Sequence, residues 1–271
     1  MSCLRFSTIA CSSMYWRWMN DVSPEFSSGC CRTMKMKELR MTNKLPACQA
    51  VLFDLDGTLL DTVPLIVESF QYVLQTFDGH PGDEDMIRST IGTPLESFFS
   101  GDPPQLIKEK IAAYMDFNHD RLTSHIGLFT GVIPMLEALR QRNIPLGIVT
   151  SKLMISATRS MAVFDLAPWF KTVIAKESTE RHKPEADPVL AAMRDLGADD
   201  PSRVIFVGDS LHDLYSGQNA GCLTAMVGWT AMPQDELKAA GPDLWLETPD
   251  QLIAFVDAMT PRTKPEDQGV G

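Results

Sequence analysis

The run Val51-Leu52-Phe53-Asp54-Leu55-Asp56-Gly57-Thr58-Leu59-Leu60-Asp61-Thr62 sets two carboxylates, spaced i and i+2, at the end of an apolar segment that begins at Ala50. Side chains at i and i+2 leave a strand on the same face. With Asp56 just past the strand's end, Gly57 lets the chain swing so that both acids converge on one reacting centre. Gly57 and Thr58 then offer main-chain and hydroxyl donors to an oxyanion. The competing reading is an ordinary acidic turn, which the placement directly after a buried strand disfavours.

Outward from this run the pattern is regular. Apolar segments suited to buried parallel strands recur at Ala50–Phe53, Pro145–Val149, Thr172–Ala175, Val204–Val207 and Thr224–Val227. Helical periodicity fills about 131–142, 153–164, 186–196 and 211–220 between them. Such alternation predicts an α/β fold, a doubly wound parallel sheet with a Rossmann-like core. One interval breaks it. Residues 63–128 carry helical spacing, as in Ile66, Phe70, Val73, Leu74 and Phe77, with breaks at 79–82 and 101–104 and no strand signal. This is read as a helical cap inserted after the first strand, beside the carboxyl ends of the strands where ligands bind in open α/β sheets. The expected organisation is an N-terminal extension over 1–46, a catalytic core over 47–62 and 129–260, the cap over 63–128, and a tail over 261–271.

A second buried segment also ends in acids: Phe206-Val207-Gly208-Asp209-Ser210-Leu211-His212-Asp213. Asp209 and Asp213, four apart at the entry to a helix, are suited to holding a divalent cation. Asp209 or Ser210 as a simple helix cap is the structural alternative. Three or more carboxylates at one sheet edge repel each other unless a cation neutralises them, and hard oxygen ligands point to Mg2+. A phosphoryl substrate follows, because a cation offsets the repulsion between a carboxylate nucleophile and a phosphate.

Two weaker signals lie between these runs. Ile148-Val149-Thr150-Ser151-Lys152 ends a strand in hydroxyls, and Arg181-His182-Lys183-Pro184 places a cation before a helix. Singly, Thr150 reads as a helix cap and Lys183 as a loop charge. Their order along the chain changes that reading. Asp54-x-Asp56-Gly57-Thr58, then Thr150, then Lys183-Pro184, then Gly208-Asp209-Ser210-x-x-Asp213 resembles the four motifs of the haloacid dehalogenase superfamily. The similarity spans about residues 49–258, and the helical insertion resembles the subfamily that includes phosphoglycolate phosphatases, related pyrophosphatases and beta-phosphoglucomutases.

The resemblance implies specific roles. Asp54 is the nucleophile that forms an aspartyl-phosphate, and Asp56 protonates the leaving group and later activates water. Thr150 hydrogen-bonds the transferring group, while Lys183 balances its charge and orients Asp54. Gly57, Thr58 and Ser151 contact substrate. Asp54, the main-chain carbonyl of Asp56, and Asp209 bind Mg2+, with Asp213 supporting that site. Asp56 argues against dehalogenation, which needs no proton donor for an oxygen leaving group.

Finer features, including Ile91-Gly92-Thr93-Pro94-Leu95 and Gly228-Trp229, look closest to phosphoglycolate phosphatases and their pyrophosphatase relatives. The expected activity is hydrolysis of a small phosphate ester resembling 2-phosphoglycolate. The alternatives are an inorganic pyrophosphatase of the same family and a beta-phosphoglucomutase-like isomerase. Arg88 is a candidate contact for an anionic substrate, with an exposed helix position as the alternative.

Composition narrows the partners. A formal net charge of −11 over 271 residues argues against nucleic acid. No apolar stretch approaches the ~20 residues needed to span a bilayer. The expected partner is therefore a small phosphorylated metabolite, and monomer and homodimer both stay open. Cys3, Cys11, Cys30 and Cys31 precede the first organised segment, which leaves Cys48 and Cys222. Two are too few for a disulfide framework, so a reducing, cytoplasmic setting is expected. Residues 1–46 are read as a disordered extension, or as sequence upstream of a true start at Met34, Met36 or Met41.

Overall fold

The computed structural model describes residues 47–230 and 232–259. The expectations for residues 1–46 and 261–271 fall outside the described residues. Six strands form one parallel sheet: β1 (Ala50–Phe53), β4 (Leu146–Val149), β5 (Thr172–Ile174), β6 (Val204–Gly208), β7 (Leu223–Val227) and β8 (Leu244–Leu246). Their spatial order is β5-β4-β1-β6-β7-β8. Chain order thus runs outward from β1 to one edge, then returns to β6 and runs to the other. The reversal puts the topological switch point between β1 and β6, the crevice where such sheets bind ligands.

The strands form where the apolar runs predict them because both faces are covered. Ala50, Val51, Leu52 and Phe53 of β1 are all fully buried. Burying each of the larger side chains stabilises the fold by roughly 1.5–3 kcal/mol, an upper figure for an extended reference chain. On one face Ala50, Leu52, Val149 and Phe206 meet Val189 and Ala192, from the helix α7 (Asp187–Leu196). Register between β1 and β6 is fixed from Ala50 opposite Val204 to Phe53 opposite Val207. The amide of Asp54 then extends that ladder, donating to Val207 O at 2.8 Å. The two acidic loops therefore leave the sheet side by side.

Between β1 and β4 the chain makes an excursion. A short strand β2 (Leu60–Asp61) leads into α1 (Val63–Asp78), α2 (Glu84–Ser89), α3 (Leu95–Phe98) and α4 (Pro104–His125), and the chain returns through β3 (Gly127–Leu128). Strand β3 differs from the expectation of no strand within 63–128. It pairs antiparallel with β2, Leu60 opposite Leu128 and Asp61 opposite Gly127. Two residues are too few to show a period.

The helices carry their own apolar core. Val63, Ile66, Phe70, Val73 and Leu74 of α1 pack with Ile87, Phe99 and Tyr114, and the Phe70 ring lies 4.4 Å from Phe98 and 5.0 Å from Tyr114. Lys110 is buried within this group but satisfied, its ammonium 2.8 Å from both Asp78 and Asp102. Two helices complete the segments on either side of β4, α5 (Val132–Gln141) and α6 (Met154–Val163), and α8 (Leu211–Ala220) follows β6. The chain closes with α9 (Gln234–Ala239), β8 and α10 (Asp250–Met259). No helix among the described residues is long and apolar enough to cross a membrane. Cys48 and Cys222 are both buried.

Candidate active site

Strand ends decide where the polar groups fall. Asp54 follows β1 directly, Thr150 follows β4, and Asp209 follows β6. All three are almost fully buried, at 5%, 5% and 2% exposure. A charged group held so far from water needs partners or it loses its charge.

Lys183 supplies the first partner. Its ammonium donates to Asp54 Oδ1 and to Asp213 Oδ1, both at 2.6 Å, and reaches Val149 O at 3.3 Å. Asp213 is fixed from its other side by the start of α8. Its Oδ2 accepts from Ser210 N at 3.1 Å and Ser210 Oγ at 2.6 Å, while its own amide donates back to Ser210 Oγ. This reciprocal capping box ties the helix terminus to the site.

One carboxylate oxygen from each of Asp54, Asp209 and Asp213 lies within 4.8 Å of the others. With Lys183 as counter-ion, three carboxylates and one ammonium leave an excess of two negative charges. Burial first, and that excess second, act on the carboxyls. Burial, together with the charges of Asp213 and Asp56, pushes the Asp54 carboxyl up to about 7 against the pull of Lys183. Burial and the neighbouring Asp213 and Asp54 likewise hold Asp209 well above the ordinary carboxylate range. Burial by itself would lower the Lys183 ammonium, but Asp213 and Asp54 raise it.

An all-oxygen donor set short of two positive charges fits a hard divalent cation. Gly57 supports that fit by leaving Asp209 room: a Cβ on Gly57 would fall 2.2 Å from Asp209 Oδ2. Thr230 Oγ1 donates to that same oxygen at 2.9 Å. Both oxygens of Asp213 already hold protein partners, which suits a supporting position.

The Asp56 carboxylate is not part of this group among the described residues, which differs from its expected place among the metal ligands. Its Oδ1 accepts from Lys152 Nζ at 2.7 Å and from Thr62 Oγ1 at 2.6 Å. Even so, Asp54 and Asp56 line one cavity of about 110 Å³, which Thr150, Ser151, Lys152 and Asp209 share. Helices α1, α3 and α4 close it from above through Phe70, Leu95 and Tyr114.

The hydroxyls differ in what they offer. Thr58 Oγ1 is buried with no hydrogen-bond partner but Thr58 does not line the cavity, and the amide expected as a donor at Gly57 is already bonded to Leu60 O at 2.8 Å, which closes the turn. Thr150 Oγ1 accepts from Lys152 N at 3.2 Å and keeps its donor capacity. Ser151 Oγ instead donates to Gly92 O at 2.7 Å, joining the loop after β4 to the helical excursion. Arg88 pairs with Glu84 at 2.7 Å and does not line the cavity.

Lys152, Thr62 and Thr230 were not singled out from the sequence. Lys152 carried a usable signal, since it stands two residues past Thr150 in the same short loop after β4. Thr62 and Thr230 carried none, because each meets its acid only through the fold.

Known proteins resemble the chain over most of its length. The family described as haloacid dehalogenase-like hydrolase matches residues 51–227. Pyrophosphatase PpaX of Bacillus pumilus is 36% identical over 210 residues, covering 77% of this chain and 96% of that protein. Its counterpart in Bacillus velezensis is also 36% identical, covering 75% and 94%. Among solved structures, a haloacid dehalogenase-like hydrolase from Streptococcus pneumoniae superposes with a TM-score of 0.66 at 27% identity, covering 79% of this chain and 99% of that one. A predicted phosphoglycolate phosphatase from Haemophilus somnus gives 0.69 at 20% identity, covering 77% and 97%, and shows the shared fold alone.

Proposed function

The chain belongs to the haloacid dehalogenase-like hydrolase family, and from that premise we propose that it is a magnesium-dependent phosphatase acting on a small phosphate ester resembling 2-phosphoglycolate. The observation that carries this reading is the buried triad Asp54-Lys183-Asp213 beside Asp209, which holds one carboxylate in place and leaves a site two positive charges short.

In this reading a carboxylate oxygen of Asp54 attacks phosphorus and forms an aspartyl-phosphate as the bond to the leaving oxygen breaks. Asp56 gives that oxygen its proton. Water then attacks the same phosphorus, Asp56 takes the water's proton, and inorganic phosphate leaves with the Asp54 carboxylate restored. Lys183 balances charge on the transferring group and fixes the orientation of Asp54. Thr150 donates to a phosphoryl oxygen, while Gly57, whose amide is held by Leu60 O at 2.8 Å, serves by leaving room for Asp209. Lys152 and Thr62 position Asp56. Asp54, Asp209 and the carbonyl of Asp56 would hold Mg2+, which when bound neutralises the acidic group and the phosphate charge.

The pyrophosphatase names of the 36%-identical relatives favour a second reading, cleavage of inorganic pyrophosphate by the same two steps. Phosphate release from 2-phosphoglycolate, pyrophosphate, sugar phosphates and nucleotides, with Mg2+ and with chelator, tests both. Turnover of 2-phosphoglycolate in preference to the rest supports the first reading, and preference for pyrophosphate the second. No Mg2+-dependent release from any of them refutes both.

A further inference from the structure

Two lysines besides Lys183 serve this cavity, and both come from the strand-end loops. Lys152 and Lys176 sit on neighbouring loops, joined where Lys176 N donates to Lys152 O at 2.9 Å. Both line the cavity. The helices that close it contribute no lysine or arginine to that lining among the described residues; their one charged group there is Glu96. A substrate with negative charge on its leaving-group side must therefore find the counter-charge on a loop lysine.

The two lysines differ in how firmly they are held. Lys152 and its partner Asp56 are both largely buried, their side chains 15% and 13% exposed. Lys176 is similarly enclosed at 17%, but its partner Glu96 is 49% exposed. Glu96 can turn into water while Lys176 stays at the cavity. With Glu96 half exposed to water, its carboxylate can be exchanged at Lys176 for another anion.

We propose that Lys176 recognises a second anionic group, carboxylate or phosphate, on the leaving-group side of the substrate, and that Glu96 occupies Lys176 until that group arrives. This rests on the phosphatase reading and narrows its substrates to phosphate esters or anhydrides that carry another negative charge.

Steady-state kinetics with 2-phosphoglycolate, pyrophosphate and 2-hydroxyethyl phosphate tests it, the last replacing the carboxylate of the first with a neutral CH2OH. Lys176→Met is expected to raise KM about tenfold more for an anionic-tailed substrate than for 2-hydroxyethyl phosphate. Glu96→Gln removes the competing charge and is expected to lower KM for that substrate a few-fold. A loss confined to 2-phosphoglycolate assigns a carboxylate partner and one confined to pyrophosphate a phosphate; either upholds the assignment. Equal KM changes across all three compounds, or a KM for the anionic pair that rises in Glu96→Gln, overturn it and leave the phosphatase reading intact. No phosphate release by the unaltered protein from any of the three overturns that reading and the assignment with it.

Discussion

Gly57 and Asp209, one from each acidic loop, approach so closely that a methyl group on Gly57 would lie 2.2 Å from Asp209 Oδ2. Gly57 also has φ +76°, a conformation that a side chain disfavours. Gly57→Ala must therefore displace Asp209 or unwind the turn. Its apparent Mg2+ affinity, read from activity against metal concentration, is expected to fall by about 10–100-fold, as for other changes that misplace a metal ligand. An unchanged Mg2+ dependence would count against Asp209 as a ligand.

Asp54→Asn should remove turnover by at least ~10³-fold, since the amide is a poor nucleophile and no neighbouring group replaces it. The fold should survive. The substitution deletes a buried charge, and Lys183 keeps Asp213 at 2.6 Å. Circular dichroism and a thermal melt check the fold, and phosphate release checks the chemistry.

Metal and protons should compete. The Asp54 carboxyl stands at about 7 when folded against an ordinary 3.8, and burial is the main cause. The folded protein then binds more protons than the unfolded chain between those values, so the stability from this group is full below about pH 4 and declines as pH rises through 7. Asp209 shifts in the same direction. Without metal, Tm should fall over that window. The rise in Tm on adding Mg2+ should be small at pH 5 and larger at pH 8. A Mg2+ effect independent of pH contradicts this.

Lys183→Met should be strongly destabilising. It strands Asp54 and Asp213 in a buried site with their shared cation gone, a loss of about 3–5 kcal/mol when one partner of a buried pair is removed. Denaturant unfolding at pH 8 without metal measures it, and Asp54→Asn in the same protein should recover part of the loss.

The core was legible because its strands are buried on both faces, so that Ala50–Phe53 and Val204–Gly208 read as unbroken apolar runs bounded by acids. Leu244–Leu246 was not, being three residues at a sheet edge with two of them only partly buried. In the site, Asp54, Thr150, Lys183 and Asp209 were visible because each sits at a strand end or helix entry with a recognisable neighbour. The ion pair of Lys176 with Glu96 was not, since its partners lie 80 residues apart and meet only when α3 covers the strand ends. The convergence of Asp54 and Asp56 was anticipated as one shared task. The structure gives them a common cavity but separate counter-ions, Lys183 for one and Lys152 for the other.

The small antiparallel pair of β2 and β3 has an effect out of proportion to its four residues. Because the chain departs at Leu60–Asp61 and comes back hydrogen-bonded alongside at Gly127–Leu128, the whole helical excursion hangs from one narrow stem. Its remaining ties to the core, such as Ser151 to Gly92 and Lys176 to Glu96, run from side chains after β4 and β5 and lie outside the ladder of the six main strands. The segment that roofs the cavity can vary while the strand ends that carry Asp54, Thr150 and Asp209 keep their places.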